Sequence, residues 1–396
     1  MDRRRRQELI NKNTQMRFTY KEYSATAELR SFKTAGSDVS EYHIMIHVEP
    51  LNETFEGQMR RLSLAEKALR ESEELSNAKV VFKRYFLSDA TNQVPLINDS
   101  DECTVSYIQQ PPLDGSKVAL WIYMQEGTDI EYGGDELNST IVRHNGYEHV
   151  WTMGMTTDNG GSFAQTEILL ENYEALLKEK YDANIADNCV RTWFFVRDVD
   201  TNYGGLVVAR RENFERNGLT SDTHYIASTG IGGSPSDTKA LVQLGSYAMT
   251  GMESSQQQYL YALTHLNRTI EYGVTFERGT KVLFGDRAHI YISGTASIDN
   301  KGDVLYLGDV GKQTLRMWEN VEKLLEEGGA TYDDVAQIVV YLRDVADYGL
   351  VEKMFREKFP DTPYVMTLAP VCRPTWLIEM ECIAITQENN TAYRKF

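Results

Sequence analysis

The sequence predicts an α+β protein made of three tandem units, each a mixed β-sheet backed by helices. Three observations carry this reading. A strand-like run opened by histidine recurs at 43–48 (HIMIHV), 149–154 (HVWTMG) and 289–294 (HIYISG). A second run of matching length closes each time on aspartate, at Asp89, Asp198 and Asp344. A third run, bearing a tyrosine, then enters a Gly/Pro-rich turn. Self-similarity of this kind marks a repeated supersecondary unit.

Along the chain, the first strand of each copy leads to a glutamine, Gln58, Gln165 or Gln313, that opens a helical pattern. One face of these helices is set by Leu62, Ala65 and Leu69, by Ile168, Asn172 and Leu176, and by Met317, Val321 and Leu324. The second strands follow at 81–89, 190–198 and 336–344, their aspartates suited to capping what comes next. A second helix is expected at 206–216 and 350–358, while the first copy has only a short polar loop at 90–101. The third strands begin at Tyr107, Tyr225 and Tyr364, the turns fall at 110–115, 230–235 and 369–374, and the last strands at 118–124, 241–249 and 377–385. This order gives a sheet on one side and helices on the other, and three such units placed sheet-inward bury one another's sheets.

The expected divisions are a degenerate first unit at 15–126, a second at 127–250, a connecting segment at 251–281 and a third unit at 282–387. The connecting segment is too long for a simple linker and carries a helical run at 257–266. The polar tail from 387 to 396 is expected to fray.

Composition excludes several classes. A net charge of −17 opposes phosphate backbones, so no nucleic-acid partner is expected. The opening MDRRRR lacks an apolar run behind it and reads as a disordered basic tail rather than a signal peptide. No stretch is apolar for the length of a membrane span. Cys103, Cys189, Cys372 and Cys382 are scattered without metal or disulfide spacing, which suits a reducing, cytoplasmic setting and implies no metal and no cofactor.

A scaffold can repeat any residue that packs, whereas a catalytic group should stand in one copy only. The last strand of the third unit breaks the repeat. Leu377, Glu379 and Glu381 share one side of it, against Trp376, Ile378, Met380 and Cys382 on the other. Set in register, Glu379 falls opposite Leu120 in the first unit and near Val242–Gln243 in the second. A carboxyl on an otherwise apolar strand is a candidate general acid, because desolvation raises its pKa towards neutrality. The plain alternative is a solvated strand face. Cys372, seven residues before Glu379, is likewise without counterpart in the other turns.

These residues bring a family into view. With SGTASI (293–298), Gln313, Asn320, VVYLRD (339–344) and LIEMECIAI (377–385), the third unit resembles the Rid (YjgF-like) superfamily, also called endoribonuclease L-PSP-like. The second unit resembles it well and the first weakly. Rid proteins are homotrimers with sites between subunits, so three fused units imply a single-chain pseudo-trimer of chorismate-mutase-like units, a monomer or weak homo-oligomer. The enamine-deaminating branch carries an arginine two residues after the proline that opens the third strand. Here that place holds Val365, with Ile108 and Ile226 as its repeats. The chorismatase branch is similar in its fused units, a YGxxF-type segment (272–278), SGTAS, a Cys-Arg turn, and a glutamate seven residues after the cysteine. RTW (191–193) also resembles that branch.

The resemblance implies hydrolysis of the enol-pyruvyl ether of chorismate or a relative, releasing pyruvate, with Glu379 as general acid. Cys372 joins it in the catalytic site as a small polarisable wall, or else is a buried core thiol. Arg278, Arg191 and Arg373 would bind the carboxylates of the substrate, and Tyr272 and Tyr225 would hydrogen-bond it, though Tyr225 recurs in each copy and so reads as structural. Glu381 is expected to orient rather than react. The alternatives are a Rid-type enamine or imine deaminase with altered carboxylate recognition, and a non-catalytic or RNA-acting protein. His43 and His47 stand too far apart for one metal, His149 and His289 recur and read as structural, and Gly230, Gly232 and Gly233 suit a turn more than a phosphate nest.

Overall fold

The structure, a computed structural model, describes residues 14–396; the basic opening lies outside them. Among the described residues the strands form three six-stranded sheets of one topology. The first contains β1 (Thr14–Tyr20), β2 (Ala25–Lys33), β3 (Ser40–Val48), β4 (Lys79–Leu87), β5 (Thr104–Gln109) and β6 (Val118–Glu126), in the order β1-β2-β3-β6-β4-β5. The second contains β7 (Asp129–Tyr132), β8 (Thr140–His144), β9 (Tyr147–Thr156), β10 (Cys189–Val196), β11 (Ala227–Gly232) and β12 (Val242–Thr250). The third contains β13 (Gln257–Leu260), β14 (Gly279–Leu283), β15 (Arg287–Ala296), β16 (Val335–Leu342), β17 (Tyr364–Leu368) and β18 (Ile378–Gln387).

Three pairs are parallel, β4 with β5, β10 with β11 and β16 with β17. A parallel pair needs a crossover, usually a helix. The second and third units supply one each, α3 (Val199–Arg216) and α5 (Tyr348–Lys358). The polar loop expected at 90–101 in the first unit instead contains a helical turn, Ala90–Gln93, capped by Asp89. Buried Lys83 draws in the rest of that loop through Asp99 (3.0 Å) and Asp101 (2.6 Å). Asp344 also caps, accepting from Ala346 N at 2.8 Å, but Asp198 sits in left-handed backbone (φ 47°) and makes no side-chain cap.

Helices α1 (Phe55–Arg70), α2 (Ser162–Tyr181) and α4 (Val310–Glu327) cover one face of each sheet with their apolar sides, Leu62, Ala65 and Leu69 in the first case. The opposite faces meet in a shared centre, where aromatic pairs cross between units: Phe82 with Trp151 at 5.1 Å, and Tyr247 with Tyr291 at 5.5 Å. Each such pair contributes about 0.5–1.5 kcal/mol beyond the area it buries. The chain is thus a pseudo-trimer closed around its own sheets.

The sheet pairing corrects several expectations. The helical run at 257–266 is absent: Gln257–Leu260 is β13, because the free edge of β14 gives its backbone a ladder that an isolated short helix lacks. The tail is not frayed. Gly285 N donates to Arg394 O at 2.7 Å, and the Phe396 ring inserts between His149 and His289 at 4.9 and 4.8 Å. One aromatic ring buried there outweighs the polarity around it. In the second unit β11 runs through Gly230 and Gly232, which the sequence reading gave to a turn.

Register also changes the repeat alignment. Glu379 pairs with Tyr341, three residues before Asp344; the residues three before Asp198 and Asp89, Phe195 and Phe86, pair with Gln243 and Ala119. The first-unit counterpart is therefore Ala119, not Leu120, whose side chain points to the helices. Val365 pairs with Val339, and the same rule gives Thr229 and Ser106 as its counterparts instead of Ile226 and Ile108. The three tyrosines are consequently not equivalent.

Candidate active site

The cleft between the second and third units is held by short polar contacts between β11 and β15. Ser228 N donates to Ser293 Oγ (2.9 Å), and that hydroxyl donates to Glu277 O (2.6 Å). Gly294 N donates to Thr229 Oγ1 at 2.9 Å. A Cβ on Gly294 would lie 2.1 Å from Glu379 Oε1, so glycine leaves the carboxyl the place it occupies and a larger residue would push it aside. The SGTAS segment thus pins the two units and clears space for one side chain.

That side chain, Glu379, projects from the central strand β18 into a small cavity. Ser228, Gly230, Gly294 and Ala296 line it, with Tyr272, Val274, Phe276 and Arg278 from the segment before β14 and Tyr203, Cys372, Arg373 and Trp376. Glu379 is 3% exposed, and no donor among the described residues hydrogen-bonds it. Burial raises its pKa, the Glu381 charge adds to this, and Arg278 and Arg191 pull it back only in part, leaving it at about 8. It is a protonated acid at neutral pH, not a solvated carboxylate.

Glu381, two residues on and on the same face, is opposite in every respect. It accepts from Arg191 at 2.7 Å, from Trp193 Nε1 at 2.9 Å and from the Thr229 hydroxyl, and Arg84 of the first unit approaches to 3.5 Å. Arg191, expected to bind substrate, is therefore committed to Glu381 and does not line the cavity. On a central strand its charge must pair inside the protein, and Glu381 is the carboxylate in reach.

The other expected residues divide. Arg278 lines the cavity; it donates to Asn267 O (3.2 Å) and Oδ1 (3.1 Å), lies 5.3 Å over the Tyr272 ring, and has no carboxylate partner among the described residues. Arg373 is half-buried at the mouth, 5.9 Å over the same ring. The Tyr272 hydroxyl is buried, beside Arg278, and makes no hydrogen bond of ordinary geometry among the described residues. Burial first, then Glu379, pushes the Cys372 thiol up to about 12, so it is a neutral wall and no thiolate nucleophile. Tyr225 is outside the cavity, packed on Phe214 in the helix-side core; it precedes β11 by two residues and so misses the sheet face. Sequence reasoning missed Tyr203, Trp376 and, behind the wall, Arg210. Comparing the copies could have found Arg210: it follows Asp198 by 12 residues (210 − 198), as Arg356 follows Asp344 (356 − 344). Among the described residues no group of three or more His, Cys, Asp or Glu side chains is placed to hold a metal ion.

Three sheets of one topology, closed on a common centre with a buried acid between two of them, define a fused three-unit α+β protein. The family model described as endoribonuclease L-PSP matches residues 283–386. A RutC family protein of Pyrococcus abyssi is 35% identical over 97 residues, which is 24% of this chain and 76% of that protein. The 3-aminoacrylate deaminase RutC of Acinetobacter baylyi is 32% identical over 98 residues, 24% of this chain and 77% of that one. The chain belongs to the Rid superfamily, which includes these RutC-family and L-PSP-type proteins. The crystal structure of a chorismatase superposes with a TM-score of 0.64 at 17% identity, covering 88% of this chain and all of that one, so the three-unit fold is shared across nearly the whole chain.

Proposed function

We propose that this protein hydrolyses the enol-pyruvyl ether of chorismate or a related compound, with Glu379 as the general acid. The observation that carries the reading is a single one: a buried carboxyl of raised pKa, without a hydrogen bond among the described residues, facing a cavity beside a guanidinium that has no carboxylate partner among them. Such an ether is inert until its terminal methylene is protonated. Glu379 gives its proton to that carbon, the ether carbon becomes an oxocarbenium ion, and water adds to it. The hemiketal collapses to pyruvate and the ring alcohol, and a proton from the water restores Glu379. Arg278 would hold the carboxylate of the enol-pyruvyl group and orient the methylene. Tyr272, Phe276 and Trp376 would enclose the ring, and Cys372 would bound it.

The likeness to chorismatase in fold supports this reading. The deaminase reading has less support, because the place of the carboxylate-binding arginine of that branch holds Val365 and, by register, Ser106 and Thr229. Incubation of the purified protein with chorismate, followed by a coupled assay for pyruvate, tests the proposal. Steady pyruvate release is expected. No release from chorismate or any other enol-pyruvyl ether, with ammonia released from an enamine or imine substrate instead, would move the protein to the deaminase reading.

A further inference from the structure

The boundary between the third and first units has a cavity of its own, of about 270 Å³. Register puts it at the place that the Glu379 cavity holds between the second and third units. Tyr364 and Met366 pair with Ile338 and Val340, six and four residues before Asp344. Ser228 and Gly230 pair with Thr192 and Phe194, six and four residues before Asp198. Ala119 pairs with His47 as Glu379 pairs with Ala296. Ser228, Gly230 and Ala296 line the Glu379 cavity, and Tyr364, Met366 and His47 line this one.

The charge is inverted between the two. Glu28 pairs with Met45, and Met45 with Trp121, two residues past Ala119. Two residues past Glu379, a register shift in β15 sets Ser293 and Gly294 opposite Glu381, and Ser293 N donates to Arg278 O at 2.9 Å. Glu28 on β2 therefore stands where Arg278 stands before β14, and each lines its cavity. The other charged groups inside are already matched. Arg356 donates from Nε to Glu352 at 2.9 Å; His47 donates from Nε2 to Tyr364 O at 3.1 Å, and its Nδ1 lies 3.7 Å from Asp114. Glu28 is left over. Its side chain is 13% exposed and makes no hydrogen bond among the described residues, and the cation within ion-pair distance of it, Arg17, is 3.6 Å away and 55% exposed. A pair of that kind contributes little, and a carboxylate held out of water favours a closer cation. Tyr348 and Tyr364 line the same space, and burial followed by the Glu352 charge pushes the Tyr348 phenol up to about 12, so its ring stays neutral. Neutral aromatic faces beside a carboxylate suit an organic cation. We infer that this cavity is a second ligand site and that it takes a small organic ammonium, with the charge on Glu28 and the apolar body against Tyr348, Tyr364 and Met366. The site is independent of the ether-hydrolase reading, which uses the other cavity.

Benzylamine, charged at neutral pH, and benzyl alcohol, its uncharged counterpart, test this by calorimetry. The wild type should bind the amine at least about tenfold more tightly than the alcohol, the worth of one charge-assisted pair. Glu28→Gln should erase that preference and leave the alcohol within about twofold. Tyr348→Ala, at the start of α5, should weaken the amine by about threefold through loss of one aromatic face. Glu379→Gln should leave amine binding within about twofold of wild type, because it alters only the other cavity. A wild type that does not prefer the amine, or a preference that survives Glu28→Gln, would overturn the inference. So would loss of amine binding in Glu379→Gln, which would move the ligand to the other cavity, and displacement of the amine by calcium chloride alone, which would give Glu28 to a metal ion. If Glu28→Gln fails to fold, Glu28 is structural and the inference falls, and undiminished amine binding by Tyr348→Ala counts against it independently.

Discussion

The cleft between the first and second units is built on the same plan as the one between the second and third, and it ends differently. Gly154 stands where Gly294 stands, and a Cβ there would strike Val105 O at 2.4 Å. At the place of Glu379 is Gln243, whose Nε2 donates to Ser106 Oγ at 2.7 Å. An amide that has found its partner across the boundary is glue. Glu379, at the same register, has no hydrogen-bond partner among the described residues and carries a raised pKa. The cleft between the third and first units departs further: Ala119 takes the acid position, and His47 Nε2 lies 3.1 Å from Tyr364 O. One scaffold position is therefore used as packing, as a structural hydrogen bond, or as a poised acid. What distinguishes the last is that burial without a hydrogen-bond partner among the described residues keeps its proton on at neutral pH.

The largest effect that would test this contrast is on turnover. Glu379→Gln should retain fold and ligand binding and lose roughly two to four orders of magnitude in kcat, measured as pyruvate release. The wild-type rate should be flat below neutral pH and fall as pH rises through about 8, where the acid loses its proton. Stability follows the same group. Its folded pKa lies above the unfolded value, so the folded state holds a proton the unfolded state has lost, and its contribution declines as pH rises from near 4.5 to about 8. Glu379→Gln should flatten that decline in denaturation curves.

Next in size, Glu381→Gln should cost roughly 3–5 kcal/mol of stability, because Arg84 and Arg191 both lose their carboxylate. Urea melts would show it, and the variant should weaken the joint of all three units. A Glu381→Gln protein as stable as wild type but inactive would reverse the roles assigned to the two glutamates.

Gly294→Ala should cost about 1–3 kcal/mol and displace the Glu379 carboxyl, lowering kcat more than it raises KM. Smallest of all, Gln243→Leu should cost about 1 kcal/mol and leave turnover unchanged, since it removes one neutral hydrogen bond in a cleft without an acid. Loss of activity in that variant would mean that the two clefts act together.

Much of the fold was legible because it is written three times. The histidine-bearing strands, the glutamine-bearing helices and the aspartate-closed strands recur in the same order, and a threefold match overrides the ambiguity of any single window. The expectations that no repeat supports, a helix at 257–266 and a frayed tail, differ from the structure, and the alignment of the last strands differs by one residue, Ala119 for Leu120, a shift that exchanges the two faces of a strand.

By itself the sequence determined the three units and the break in symmetry at Glu379, because order and uniqueness are properties of the chain alone. Only the tertiary structure decided which charges are spent. Arg191 and Arg278 look alike in sequence, yet one neutralises Glu381 and the other, held by the carbonyls of Asn267, is left to the cavity. The physical reason is that a buried charge is defined by what lies within a few ångströms of it. Those neighbours come from strands more than a hundred residues apart: Arg191 meets Glu381 across 190 positions, and Thr229 meets Gly294 across 65.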